Sequence, residues 1–214
     1  LEGRSIVLLK LHKLVEKYKM NIRGVIHVGA HLGEEYDAYT EIEIVDIIFV
    51  EPLPECFKIL ESRFKDNENV RLINRAAGSL KHEAQIYKST NQLASSSLLK
   101  PKQHLEQHPD VNFYYDDTTV KVDRLDNMLS PNDDHNFLNM DIQGYELEAL
   151  RGLGDLIHDI DYVLCEVNRK EVYEQCAQVE EIDEFLADFN FKRVETNWAG
   201  DSWGDALYIK ESLL

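Results

Sequence analysis

Short apolar runs alternate with amphipathic stretches along most of the chain, the rhythm of successive β-α-β units. Val25-Ile26-His27-Val28 is mostly β-branched and has glycine on both sides, the composition of a buried parallel strand. Ile47 to Glu51, Val70 to Ala76, Asn136 to Ile142 and Tyr162 to Asn168 repeat it as second to fifth strands. Between them, Pro54 to Phe64 places Phe57, Leu60 and Phe64 on one helical face. A further helix is entered through Gly144 and stopped at Gly152. An N-terminal helix is expected over about 5–20, packing Leu11, Leu14 and Val15 on the sheet. From Ala84 the pattern changes: Gln85 to Lys88 and Thr118 to Val122 alternate like strands around a polar stretch. Residues 84–128 therefore read as an insertion of extra strands and a long loop. The length of 214 residues suits one α/β domain spanning 1–214.

The first strand runs into Gly29-Ala30-His31-Leu32-Gly33, a strand, tight turn and helix start where a ligand can approach the backbone closely. A dinucleotide site favours G-x-G-x-x-G, whereas here the glycines fall as G-x-x-x-G and Glu34-Glu35 follow in the expected first helical turn. Carboxylates there suit the helix dipole but repel a pyrophosphate. S-adenosylmethionine, with a sulfonium and no phosphate, fits better. Glu51-Pro52 ends the second strand where a carboxylate accepts hydrogen bonds from ribose hydroxyls, and Ala76-Ala77 leaves room for a flat adenine ring. Ser96 and Ser97, within Ser95-Ser96-Ser97, either cap a helix or line the cofactor's carboxylate end. Asp141 closes the fourth strand, at the sheet edge of Gly29 and Glu51, as a ligand group or as a cap for the next turn. Glu166 and Asn168 reach the same edge from the fifth strand. His104 and His108 stand four apart without an H-E-x-x-H pattern and are expected as a solvated pair.

Charge narrows the partners. With 23 basic against 40 acidic residues the formal charge is −17, which argues against nucleic acid or an anionic membrane surface. Cys56, Cys165 and Cys176 are odd in number and lack C-x-x-C spacing, which fits reduced thiols and a cytoplasmic protein. The chain opens at Leu1 rather than Met, and the expectation is a domain from a longer polypeptide, fused to other glycan-processing domains.

Val25 to Gly33, Val50-Glu51-Pro52, Ser95-Ser96-Ser97, Val122 to Asp126 and above all Asn139 to Gly152 together resemble the FkbM-type S-adenosylmethionine-dependent methyltransferases. The last block is similar to the family's K-I-D-x-E-G-x-E-x-x-x-L-x-G signature. Asn139 stands where the family has Lys, and Gln143 where it has Glu. The resemblance implies a Rossmann-like class I fold, a mostly parallel seven-stranded sheet with helices on both faces, closed by an antiparallel hairpin over Phe191 to Ile209. It also implies O-methylation of a hydroxyl, often on a sugar or glycan. On that reading Gly29, Ala30, His31, Gly33, Glu51, Pro52, Ala76, Ala77, Ser96, Ser97 and Asp141 hold the cofactor. His31 would serve through its backbone. A sugar hydroxyl is a poor acid, so Asp141 and Glu166 are the candidates for general base or, if a divalent metal takes part, for its ligands. Trp198 and Trp203 have the chemistry to stack on a sugar ring, with Tyr145 and Asn168 as further acceptor contacts. The other classes consistent with these residues are an NAD-dependent sugar oxidoreductase and a non-catalytic Rossmann-like binding module.

Overall fold

The computed structural model describes residues 9–130 and 133–214. In chain order the first elements are α1 (Leu11–Tyr18), β1 (Val25–Val28), α2 (Tyr36–Thr40), β2 (Ile47–Val50), α3 (Pro54–Phe64) and β3 (Val70–Ile73). The inserted region then supplies β4 (Ala76–Ala77), β5 (His82–Gln85), β6 (Lys88–Ser89), α4 (His104–Gln107), β7 (Phe113–Tyr114) and β8 (Thr119–Asp123). After α5 (Leu125–Met128) come β9 (Phe137–Met140), α6 (Glu146–Arg151), β10 (Tyr162–Asn168) and α7 (Val179–Ala187). The hairpin of β11 (Phe191–Ala199) and β12 (Trp203–Lys210) follows.

The main sheet has seven strands in the order β11-β12-β10-β9-β1-β2-β3. From β10 to β3 neighbouring strands pair in parallel, and β12 and β11 close the sheet with antiparallel pairs. All four residues of β1 and of β2 are buried, because helices cover both faces of a parallel sheet. Side chains alternate between the faces. Ile26, Val28, Ile48 and Val50 pack with Leu125 of α5, Leu147 and Leu150 of α6, and Ile182 and Leu186 of α7. Val25, Ile47 and Phe49 pack with Leu11 and Leu14 of α1, Tyr39 of α2, and Leu60 and Phe64 of α3.

Four differences from the sequence reading bear on the site. The third strand stops at Ile73 instead of reaching Ala76. Asn74 turns its amide onto the carbonyls of Glu51 (2.9 Å) and Pro52 (3.2 Å), and Ala76–Ala77 leave to pair with β8 in a separate sheet ordered β4-β8-β5. The N-terminal helix begins at Leu11, and the expected residues 5–8 lie outside the described ones. The helix after the glycine turn begins at Tyr36, so Glu34 and Glu35 precede it. His104 is not solvated: it is buried, edge-on to Phe113 (5.0 Å) and against the exposed His108 ring (4.8 Å). Burial, reinforced by His108, lowers its pKa to about 4, so it is a neutral core residue.

The insertion is fastened to the body by an ion cluster that the residue pattern did not reveal. The buried Lys88 ammonium donates to Glu55 at the start of α3 (2.6 Å), to Asp116 (2.7 Å) and to the Thr118 hydroxyl (2.7 Å). All three cysteines are free and buried. Among the described residues no helix is long and apolar enough to cross a membrane.

Candidate active site

Parallel strands end at a common edge, and the register lines up the candidate residues there. Carried one residue beyond Val28↔Val50, Val28↔Met140 and Cys165↔Met140, it sets Glu51, Gly29, Asp141 and Glu166 abreast. The antiparallel pairs Glu166↔Asp205 and Asn197↔Asp205 continue the row onto the hairpin. Gly29 lies between the two arms: its φ is +85°, and an added Cβ would stand 2.0 Å from the carbonyl oxygen of Asp141. Only glycine lets the turns after β1 and β9 pack this closely.

On the β2 side, the Glu51 carboxylate accepts the backbone N–H of His31 on one oxygen and that of Leu53 on the other, both at 2.8 Å. It is thereby fixed at the strand end, lining a pocket with Gly29, His31, Pro52, Ala76 and Ala77. Ser96, Ser97, Asp141, Gln143 and Tyr145 line the same pocket. Ala30 and Gly33 do not reach it. Ala30 is wholly buried in the core behind the turn, and Gly33 packs under Leu60 and Phe64 of α3. Both shape the turn.

His31, at φ +48°, sets its ring between Glu34 (Nδ1, 2.7 Å) and the carbonyl of Gln92 (Nε2, 2.8 Å). Burial opposes its charge most strongly, yet bonds to Cys56, Glu34 and Gln92 together raise its pKa to about 10. The imidazolium clamps the inserted loop onto the glycine turn, while its backbone N–H serves Glu51. The serines continue the fastening instead of capping a helix. Ser97 donates to the Gln143 carbonyl (2.8 Å) and accepts from Leu99 N–H (2.9 Å), and Ser96 accepts from Ser89 N–H (3.1 Å).

On the β9 and β10 side, the Gln143 amide joins the two candidate carboxylates. Its Nε2 donates to Asp141 Oδ1 (2.5 Å) and Glu166 Oε2 (3.1 Å), and its Oε1 accepts from the Tyr173 hydroxyl (2.7 Å). Burial pushes the Glu166 pKa well above the usual carboxylate range, helped by Asp141, Glu146 and Asp205 and opposed by the Gln143 bond. Behind them, Glu146 braces the turn by accepting the N–H groups of Ile142 (3.1 Å) and Gly144 (3.2 Å). Gly144 is at φ +98°, where a Cβ would meet Cys176 at 2.7 Å.

The acceptor-side candidates divide. Tyr145 lies against Gly78, next to Ala76–Ala77, and lines the pocket with them. Asn168 is 0% exposed and neither of its amide atoms has a partner among the described residues. Trp203 pairs with Asn168 and packs on Val172, Tyr173 and Cys176. Trp198 pairs with Gly204, hence on the opposite face, and its ring lies 3.6 Å from the Arg169 guanidinium. The two tryptophans therefore do not form one platform. Sequence reasoning missed Asp205 and Glu146 as site residues. Glu146 had a local signal, a carboxylate two positions after the turn glycine; Asp205 had none, because only the register with β10 brings it to Glu166.

Among the described residues no group of three or more His, Cys, Asp and Glu side chains is arranged to hold a metal ion. Asp141 and Glu166 present their facing oxygens to amide N–H donors, which cannot coordinate a cation. The donor set does not fit a metal. The lining suits a nucleoside with a free ribose diol: it offers a carboxylate fixed by two backbone N–H groups, the small Ala76 and Ala77, and the glycine turn.

Solved structures share the fold at low sequence identity. A ribosomal protein L11 methylase from Lactobacillus delbrueckii subsp. bulgaricus aligns with a TM-score of 0.54 and 12% identity, covering 98% of this chain and 81% of that one. Magnesium protoporphyrin IX methyltransferase from Synechocystis, solved with bound S-adenosylmethionine, gives 0.52 and 9%, covering 94% and 77%. An S-adenosylmethionine-dependent methyltransferase from Aquifex aeolicus gives 0.50 and 13%, covering 98% and 94%. No curated protein sequence matches the chain. The profile of the methyltransferase FkbM domain matches residues 27–193, from the first strand of the glycine turn into the closing hairpin. The chain belongs to the FkbM family of S-adenosylmethionine-dependent methyltransferases.

Proposed function

We propose that the protein transfers a methyl group to a hydroxyl of a sugar or glycan. The observation that carries this reading is the pair Asp141 and Glu166, abreast at the edge of the cofactor pocket and joined by one amide. When bound, S-adenosylmethionine supplies a methyl group already activated by its sulfonium. What remains for the protein is to align an attacking oxygen and take its proton. Glu51 holds the ribose hydroxyls, since its oxygens are pinned by His31 and Leu53 N–H groups and it lines the pocket. Asp141 and Glu166 receive the hydroxyl proton. Burial makes ionised Glu166 a stronger base than a carboxylate in water, which suits so weak an acid as a sugar hydroxyl. A net charge of −17 and the row of Asp141, Glu166 and Asp205 favour an uncharged acceptor over a phosphate-rich one.

The test is transfer of isotopically labelled methyl to a panel of neutral mono- and oligosaccharides, beside tRNA and ribosomal protein as competing acceptors. Label on a sugar oxygen, stable to mild base, is the expected result. Label only on RNA or protein would defeat the assignment.

A further inference from the structure

Two carboxylates side by side in a buried setting repel each other, and three arrangements relieve the repulsion: a cation between them, a proton on one, or donors aimed at both. The third is built here, and the raised pKa of Glu166 favours the second beside it. Gln143 sits at φ +57°, a backbone conformation rare for a residue with a side chain. From there its amide sends one N–H to Asp141 and the other to Glu166. The amide's orientation is fixed from behind by the fully buried Tyr173, whose hydroxyl meets Gln143 Oε1 at 2.7 Å and whose ring packs with Val172 and Cys176. The opposite orientation would aim an amide oxygen at two carboxylate oxygens.

We propose that Gln143 is a positioning residue that takes the place of a cation: its amide holds Asp141 and Glu166 together for the acceptor and leaves the pair independent of divalent metal. This rests on the reading of Asp141 and Glu166 as the acceptor-side pair. Hard cations such as Mg²⁺ and Mn²⁺ need several oxygen ligands converging on one point. At position 143 this chain offers two N–H donors toward that point instead. A carboxylate at 143 would supply the missing oxygen, with Glu146 and Asp205 adding negative charge nearby.

The experiment is Mn²⁺ binding by electron paramagnetic resonance, which requires no acceptor. Wild type is expected to show no saturable site up to millimolar Mn²⁺. Gln143→Glu is expected to gain one site at least tenfold tighter than any wild-type binding, and Gln143→Glu with Asp141→Asn to lose it. Gln143→Gly relieves the left-handed backbone and, with its fold checked by circular dichroism, should lower kcat by more than it raises the KM for S-adenosylmethionine. Chelator should leave wild-type kcat unchanged. A wild-type Mn²⁺ site abolished by Asp141→Asn, a Gln143→Glu protein without added affinity, or a Gln143→Gly protein with wild-type kcat would each overturn the inference. If Gln143→Glu does not fold, the wild-type titration and the glycine variant decide it. Failure to methylate any sugar would count against the acceptor assignment alone, because the Mn²⁺ readout does not depend on it.

Discussion

The turns after β1 and β9 meet at one edge of the sheet and are built alike, yet they serve opposite ends of the site. Each has a glycine at positive φ and a side-chain-bearing residue in the left-handed region: His31 two residues after Gly29, and Gln143 directly before Gly144. Each is braced by a carboxylate that accepts two backbone N–H groups, Glu51 in the first and Glu146 in the second. The surroundings differ. Glu51 lines the pocket, and its bonding partner His31 carries a ring held cationic. Glu146 is 1% exposed and has Asp141 as a neighbour, so burial and like charge raise its pKa to about 7. The same hydrogen-bonding device leaves a carboxylate lining the pocket in one place and a sealed strut in the other. Position relative to the pocket and the sign of the nearest charge make the difference.

The strongest way to break the comparison is to separate chemistry from cofactor binding. Glu166→Gln is expected to lower turnover by about 10²–10⁴, the usual range for a lost general base, with S-adenosylmethionine affinity by calorimetry unchanged. Wild-type turnover in Glu166→Gln and in Asp141→Asn would remove both from the chemistry. Next in size, Glu51→Ala should weaken S-adenosylmethionine binding by about 1–3 kcal/mol, since charged hydrogen bonds to the ribose are lost. An unchanged dissociation constant in a folded variant would take Glu51 out of the site and erase its contrast with Glu146.

The smallest effect concerns Glu146 and stability. Its folded pKa of about 7 lies above the ordinary 4.5, so the folded state holds the proton over a range where the unfolded chain has released it. The group's stabilisation is full below about pH 4.5 and is lost as pH rises through 7. Glu146→Gln still accepts the Ile142 and Gly144 N–H groups, and its urea-denaturation stability should lack this decline. An identical decline in the variant would show that Glu146 is ionised throughout.

Much of the fold is legible from local pattern because local pattern is what it rests on. Pro54 to Phe64 is a helix residue for residue, and β10 covers Tyr162–Asn168 as its apolar run requires. Glu51 and Asp141 are legible for a related reason: a parallel strand read from sequence has a known ligand-facing end, and each carboxylate stands just past one. Where a local pattern had two physical outcomes, as with His104 and His108, the surroundings chose. Phe113 and Tyr173 close over His104, and no feature of the i, i+4 spacing announces them.

The sequence by itself determined the parallel sheet, the glycine turn with a carboxylate at the end of the next strand, and the family, because these depend on periodicity and on residues close together in the chain. Only the tertiary structure decided that Asp205 joins Asp141 and Glu166 and what lies between those two. Glu166 meets Asp205 through antiparallel register, and Gln143 meets both Asp141 and Glu166 because Tyr173, from the loop after β10, orients its amide. Such pairings are set by how strands and loops pack, and a hydrogen bond between residues far apart in the chain leaves no mark on the sequence near either one.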